Sequence, residues 1–120
     1  MELFKGPTDI FGIAIYSSLI KKMEENPSYR EFINKLNLNL VVELDYYPLM
    51  IAFKKDSFEI TREIEHPDVR IKIKTQDFLD IVDGKTSIIK TFFRGKMGFK
   101  PFYKIFTKLF TVYKIFSNMI

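Results

Sequence analysis

Along this chain the apolar positions run first at helical spacing, then alternate, then return to helical spacing. Ile10, Phe11, Ala14, Ile15, Leu19, Ile20 and Met23 share one helical side, with Thr8 placed as a cap and Asp9 in the first turn. Asn26-Pro27 ends that helix and opens another, where Ser28-Tyr29-Arg30-Glu31 fits a capping box ahead of Phe32, Ile33 and Leu36. The period then drops to two. Leu38, Leu40, Val42, Leu44 and Tyr46 alternate with Asn39, Val41, Glu43 and Asp45 until Tyr47-Pro48 breaks the run. Leu49, Ile51 and Phe53 predict a second strand, closed by the turn Lys55-Asp56-Ser57. Phe58, Ile60, Arg62 and Ile64 mark a third, and Val69, Ile71 and Ile73 a fourth. The third strand turns Glu59, Glu63 and Glu65 outward, and the fourth turns out Arg70, Lys72 and Lys74. With the short connection Glu65-His66-Pro67-Asp68 between them, the two read as a hairpin stitched by opposite charges. The expected sheet is therefore an antiparallel meander with one apolar face that other elements must cover.

Helical spacing returns after Lys74. Thr75 caps a helix over Gln76 to Val82, with Gly84 supplying the left-handed stop. Ser87 or Thr86 opens a helix from Ile88 to Arg94, ended by Gly95, and Lys96 to Lys100 reads as a short fifth strand. From Lys100 onward Lys100, Lys104, Lys108, Thr111, Lys114 and Asn118 fall on one narrow polar stripe. About two-thirds of the circumference is left apolar, wider than a surface helix needs, so this helix must meet a second surface besides the sheet. The order of elements is α+β: a mostly antiparallel five-stranded sheet covered by helices.

Charge is unevenly spread over these elements. All fifteen acidic residues lie at or before Asp83, while Gly84 to Ile120 holds eight Lys or Arg and seven of the thirteen Phe. A basic, aromatic-rich tail on a mildly acidic body suits a partner that is both anionic and greasy, and lipid fits that description better than a polar substrate. The length of 120 residues predicts one domain over 1–120, large enough to bury roughly 65% of its unfolded surface. With no Cys, disulfides, Cys-based zinc sites and thiol chemistry are excluded. Met1 to Lys5 shows no signal-peptide pattern, and Pro101 to Ile120 carries three Lys that are costly at mid-membrane, so the expectation is a cytoplasmic protein.

The segment from Thr75 to Met97, TQDFLDIVDGKTSIIKTFFRGKM, carries a joint pattern. It has Asp77-Phe78-Leu79 at a helix start, the turn Gly84-Lys85, the pair Phe92-Phe93, and a second Gly-Lys, Gly95-Lys96, eleven residues after the first. In this pattern, and in the strands that precede it, the chain resembles the sterol carrier protein type-two family of small lipid carriers. The resemblance implies a five-stranded sheet backed by helices around an apolar tunnel for a fatty-acyl chain, a sterol or an isoprenoid lipid, closed by the last helix. On that expectation Phe93, Met97, Phe99, Phe102, Phe106, Leu109, Phe110 and Tyr113 line the helical and fifth-strand side. Ile51, Phe53, Ile60, Ile71 and Ile73 form the sheet side. Lys100, Lys104, Lys108 and Lys114 are candidates for docking on anionic membranes, each worth on the order of 1 kcal/mol near the surface. In one place the chain departs from the family: a Gly followed by a small polar residue is replaced by Pro101-Phe102, which implies a shorter fifth strand and a mouth crowded with Phe.

Little else in the sequence carries chemistry. His66, the only His, sits in a turn, and no His/Cys cluster offers a metal site. Gly84-Lys85-Thr86 echoes the end of a phosphate loop but lacks the earlier Gly and follows a helix rather than a strand. Glu59, Glu63 and Glu65 read as a solvated sheet face, and Ser17-Ser18 has no elbow motif around it. The Phe residues fall among helical aliphatics rather than on exposed strands, which argues against a nucleic-acid partner. No catalytic residue, metal or cofactor is expected. The expectation is a non-enzymatic lipid binding or transfer protein, monomer or homodimer. The alternative is a ligand-free interaction module that homodimerises through the apolar C-terminal helix.

Overall fold

A computed structural model describes residues 10–45, 48–61, 64–100 and 105–116, with side chains from 12 onward in the first span and from 107 onward in the last. The elements run α1 (Ile10–Glu25), α2 (Pro27–Lys35), β1 (Leu38–Glu43), β2 (Pro48–Lys54), β3 (Ser57–Thr61), β4 (Val69–Ile73), α3 (Thr75–Val82), α4 (Ile88–Phe93), β5 (Met97–Lys100) and α5 (Ile105–Phe116). The α+β class and the five-stranded, mostly antiparallel sheet are as the pattern predicts.

The topology corrects one expectation. The strand order is β3-β2-β1-β4-β5, so β4 does not form a hairpin with β3. It crosses the sheet and pairs in parallel with β1, Leu40 opposite Val69 and Val42 opposite Ile71. The charge complementarity between the third and fourth strands was a local signal worth only tenths of a kcal/mol per pair. Either pairing completes a row of backbone groups, but pairing with β1 puts the strand with Leu40, Val41 and Val42 all buried at the centre of the sheet and leaves β3 at the edge. Asp68 pins the crossing: its backbone N–H donates to the Asn39 carbonyl at 2.8 Å, and its Oδ2 accepts from the Asn39 N–H at 2.8 Å. Arg70 finds its partner on β1, where its guanidinium meets Glu43 at 3.0 Å. β2 pairs with β1 and β3, and β5 with β4, all antiparallel.

The helix ends follow local chemistry, with two corrections. The cap of α2 is Asn26, whose Oδ1 accepts from the Tyr29 N–H at 3.1 Å, not Ser28. Pro27 at the first helical position fixes φ and has no N–H to satisfy, which leaves Asn26 the capping place. Thr75 is the first residue of α3 rather than its cap; β4 runs so directly into the helix that Lys74 takes the cap position without a side-chain bond. Ser87 caps α4 as expected, accepting from the Lys90 N–H at 3.1 Å. Gly84 (φ +80°) and Gly95 (φ +74°) end α3 and α4 in the left-handed region. Lys85 then donates to the Asp80 carbonyl and Lys96 to the Thr91 carbonyl, closing both helix ends. The proposed cap at Thr8 and the strand residues Tyr46, Arg62 and Glu63 lie outside the described residues.

All five helices contribute to one core on one face of the sheet. Ile15 and Leu19 of α1, Ile33 of α2, Phe78 and Ile81 of α3, Ile88 of α4, and Val112, Ile115 and Phe116 of α5 join Leu40, Ile51, Phe53, Val69 and Ile71 of the sheet. Alternation puts every second strand residue into this layer, and 3.6-residue periodicity does the same for the helices. Among the described residues, no helix is long and apolar enough to cross a membrane.

Candidate functional site

The expected site is the apolar space between the sheet and α5. Its sheet-side candidates lie together. Ile51 and Phe53 on β2, Ile60 on β3, and Ile71 and Ile73 on β4 are all buried and belong to the common core. Strand register explains the placement: Ile51 stands opposite Ile60 on β3, and Ile71 opposite Phe99 on β5, with all four side chains on the covered face. Met97 and Phe99 of β5 are buried in the same layer, and so is Leu109 of α5.

The remaining candidates are dispersed. Phe93 ends α4 and is 77% exposed, held edge-on to Phe92 with ring centroids 5.5 Å apart. Phe110 on α5 is 62% exposed and meets Tyr113 edge-on at 6.4 Å. Tyr113 is half-buried and lines a recess of about 240 Å³ with Ile81, Ile88 and the turn from Gly84 to Ser87. Phe102 and the side chain of Phe106 lie outside the described residues, as does Lys104. Lys100 is exposed on β5, and Lys108 is half-buried on α5. Lys114 places its ammonium 4.9 Å over the Phe32 ring.

What holds α5 in place was not legible beforehand. Tyr29 of α2 is buried and its hydroxyl donates to the Ile115 carbonyl at 2.6 Å, across 86 positions of sequence. Lys22 caps the same ring, its ammonium 4.2 Å from the centroid. Burial holds the Tyr29 phenol well above its ordinary pKa and draws the Lys22 ammonium below its own. From α3, Phe78 packs edge-on to Phe116 at 5.1 Å. No spacing rule connects Tyr29 to Ile115, because the bond exists only once α2 and α5 are docked.

Other recesses open to solvent are lined mainly by polar residues. One sits between Lys22, Tyr29, Phe32 and Lys114, another between Arg30, Asn34, Lys55 and Asp56, and a third around Lys72, Lys74, Lys96 and Gly98. None of these, nor the recess beside Tyr113, reaches Ile51, Phe53, Ile60, Ile71 or Ile73. Among the described residues no three His, Cys, Asp or Glu gather in a way that could hold a metal ion.

A sheet of order β3-β2-β1-β4-β5 with helices on one face, the last of them packed on the apolar layer, is the sterol-carrier architecture. The chain matches the model of the SCP-2 sterol transfer family over residues 18–100, and it belongs to that family. Among solved structures it is similar to the sterol carrier protein domain 2 of Helicoverpa armigera (TM-score 0.62, 19% identity, covering 91% of this chain and 92% of that one). It is also similar to apo sterol carrier protein 2 from Yarrowia lipolytica (TM-score 0.60, 19% identity, 91% of each chain). The ubiquinone synthesis protein UbiJ-SCP2 shares the fold at a TM-score of 0.64 and 14% identity, over 92% of this chain and 94% of that one. No curated protein matches the chain by sequence.

Proposed function

We propose that this protein binds and transfers a lipid without covalent chemistry, holding a fatty-acyl, sterol-like or isoprenoid chain against the covered face of the sheet. The observation that carries the reading is the apolar layer under α5 in a chain of the sterol transfer family. Ile51, Phe53, Ile60, Ile71, Ile73, Met97, Phe99 and Leu109 supply the wall on this reading, joined by Phe102, Phe106 and Tyr113 from the segment that leads into and forms α5. Cargo enters as α5 shifts outward, and Phe93 and Phe110 turn from solvent toward it. Each buried methylene contributes roughly 0.8 kcal/mol before ordering costs. Lys100, Lys104, Lys108 and Lys114 face an anionic bilayer while cargo passes. The work is intracellular, in the cytoplasm.

Delipidated protein titrated with a fluorescent long-chain fatty acid tests the reading. Saturable binding near one per chain, displaced by unlabelled apolar lipids, is the expected result. The likeness to a ubiquinone synthesis protein puts prenylated quinones among the competitors to try. A folded protein that shows no saturable binding overturns the proposal. One observation favours a second reading, homodimerisation through α5 without a ligand: Phe110 is 62% exposed on that helix. That reading expects a dimer at micromolar concentration which Phe110→Glu dissociates.

A further inference from the structure

The outer face of the sheet, away from the helices, becomes wholly basic at the β4–β5 edge. Alternation turns Arg70, Lys72 and Lys74 outward from β4, and Lys96 and Lys100 outward from the β5 side. The register sets Arg70 directly opposite Lys100 and Lys72 opposite Gly98. Lys74 and Lys96 follow the last paired positions, Ile73 and Met97, and line one recess together. Like charges facing each other across an antiparallel pair are destabilising. Here one such pair, Arg70 and Lys100, lies to one side of Gly98, and Lys74 and Lys96 lie just beyond the ladder on the other side. Arg70 is offset by Glu43 at 3.0 Å, whereas Lys72, Lys74, Lys96 and Lys100 make no ion pair with a described residue. Among the described residues, Asp77 is the single carboxylate on the recess.

Gly98 makes the arrangement a notch. A Cβ placed there would meet the Lys72 Cβ at 3.5 Å, an ordinary contact, and without one the glycine lines a solvent-open recess together with Lys72, Lys74 and Lys96. Beside the notch the chain passes through Gly95 to the end of α4, where Phe93 projects 77% exposed next to Arg94. A flat basic face with an apolar ring at its margin matches a bilayer: lipid phosphates meet the cations, and the ring enters the acyl boundary. A nucleic-acid reader would instead place its aromatics on the strands among the cations.

We propose that the outer β4–β5 face, with Lys72, Lys74, Lys96 and Lys100 around Gly98 and Phe93 at its margin, is a docking surface for anionic lipid bilayers. It is distinct from the α5 lysines Lys108 and Lys114, and of the four lysines set against a bilayer in the lipid-transfer reading it uses only Lys100, on β5. It extends the lipid-transfer reading, yet does not require that cargo bind where that reading puts it.

The test uses the full chain with vesicles of phosphatidylcholine alone or containing phosphatidylserine, read by co-sedimentation. Binding that needs the anionic lipid and weakens with salt is expected. Each lost lysine should cost about fivefold in partition, so K72E/K96E should weaken binding at least tenfold. K21E/K55E, with the same charge change on exposed positions of α1 and the β2–β3 turn, should stay within about twofold, while F93S should weaken binding at every salt concentration. The proposal is overturned if the wild type does not bind, if K72E/K96E binds like the wild type, or if only K108E/K114E loses binding. It is also overturned if heparin binds as tightly as the vesicles and F93S is without effect, which would mark a general polyanion site. Fatty-acid titration of K72E/K96E should match the wild type. Its failure in both proteins would count against the cargo reading and leave the docking result standing.

Discussion

Tyr29→Phe isolates the single hydrogen bond that ties the second helix to the last. The substitution keeps the ring, and with it the contact to Phe32 at 6.2 Å and the Lys22 ammonium above the face. It removes only the hydroxyl that donates to the Ile115 carbonyl at 2.6 Å. Leaving a buried acceptor without its donor costs about 1–3 kcal/mol. For a chain of 120 residues, about 4 °C of Tm accompanies each kcal/mol, so the expected loss is about 4–12 °C. Urea unfolding at pH 8 should show a lower midpoint with an unchanged slope. The dependence on pH gives a second check. Burial raises the Tyr29 pKa above the 10.0 at which the unfolded phenol ionises. Below pH 10 the native and unfolded states both hold the proton, and the contribution of the group is complete. Above pH 10 the unfolded chain releases the proton and the native one does not, so stability falls by about 1.4 kcal/mol per pH unit until the native phenol also ionises. Tyr29→Phe lacks this loss, so the gap between the two proteins should narrow above pH 10. Equal midpoints at pH 8, or a gap that stays constant to pH 11, would refute the argument. If cargo enters as α5 shifts, the same variant should also take up fatty acid faster.

Other expectations follow from burial and backbone geometry. Ile115→Ala removes a fully buried side chain from the α5 contact and should cost about 2–5 kcal/mol by chemical denaturation, whereas Phe110→Ser should stay within about 0.5 kcal/mol. Asp68→Ala removes the acceptor of the Asn39 N–H at the start of the parallel pair and should cost about 1–3 kcal/mol; hydrogen exchange should show β4 opening more readily than β2. Gly95→Ala meets no atom within 4 Å, so its cost of about 1–2 kcal/mol should come from the left-handed backbone alone, with binding properties unchanged. The half-exposed Arg70–Glu43 pair should contribute under about 1 kcal/mol in a double-mutant cycle, and less as salt rises.

The sequence by itself determined every element that rests on short-range physics. Alternation found β1 to β4, the stop at Gly95 set off β5, and 3.6-residue periodicity found the helices, because a residue's side on its own element depends only on its neighbours. Gly84 and Gly95 were legible as helix stops, since a left-handed residue after a helix favours glycine wherever it occurs. The joint pattern from Asp77 to Lys96 pointed to the family that residues 18–100 match. The apolar excess of the last helix was visible too, but not which of its residues would be buried: Leu109, Val112 and Ile115 are, and Phe110 is not. Only the tertiary structure decided the partners. β4 left β3 for β1 because burying β1, with Leu40, Val41 and Val42, at the sheet centre outweighs a few surface charge pairs. Tyr29 met Ile115, and Lys72 met Gly98 between Lys96 and Lys100, only when elements distant in sequence were docked. Which side of each element is apolar is written in its local pattern. Which of these sides touch depends on how whole elements compete for one another's edges and faces, and that competition is settled over the entire chain.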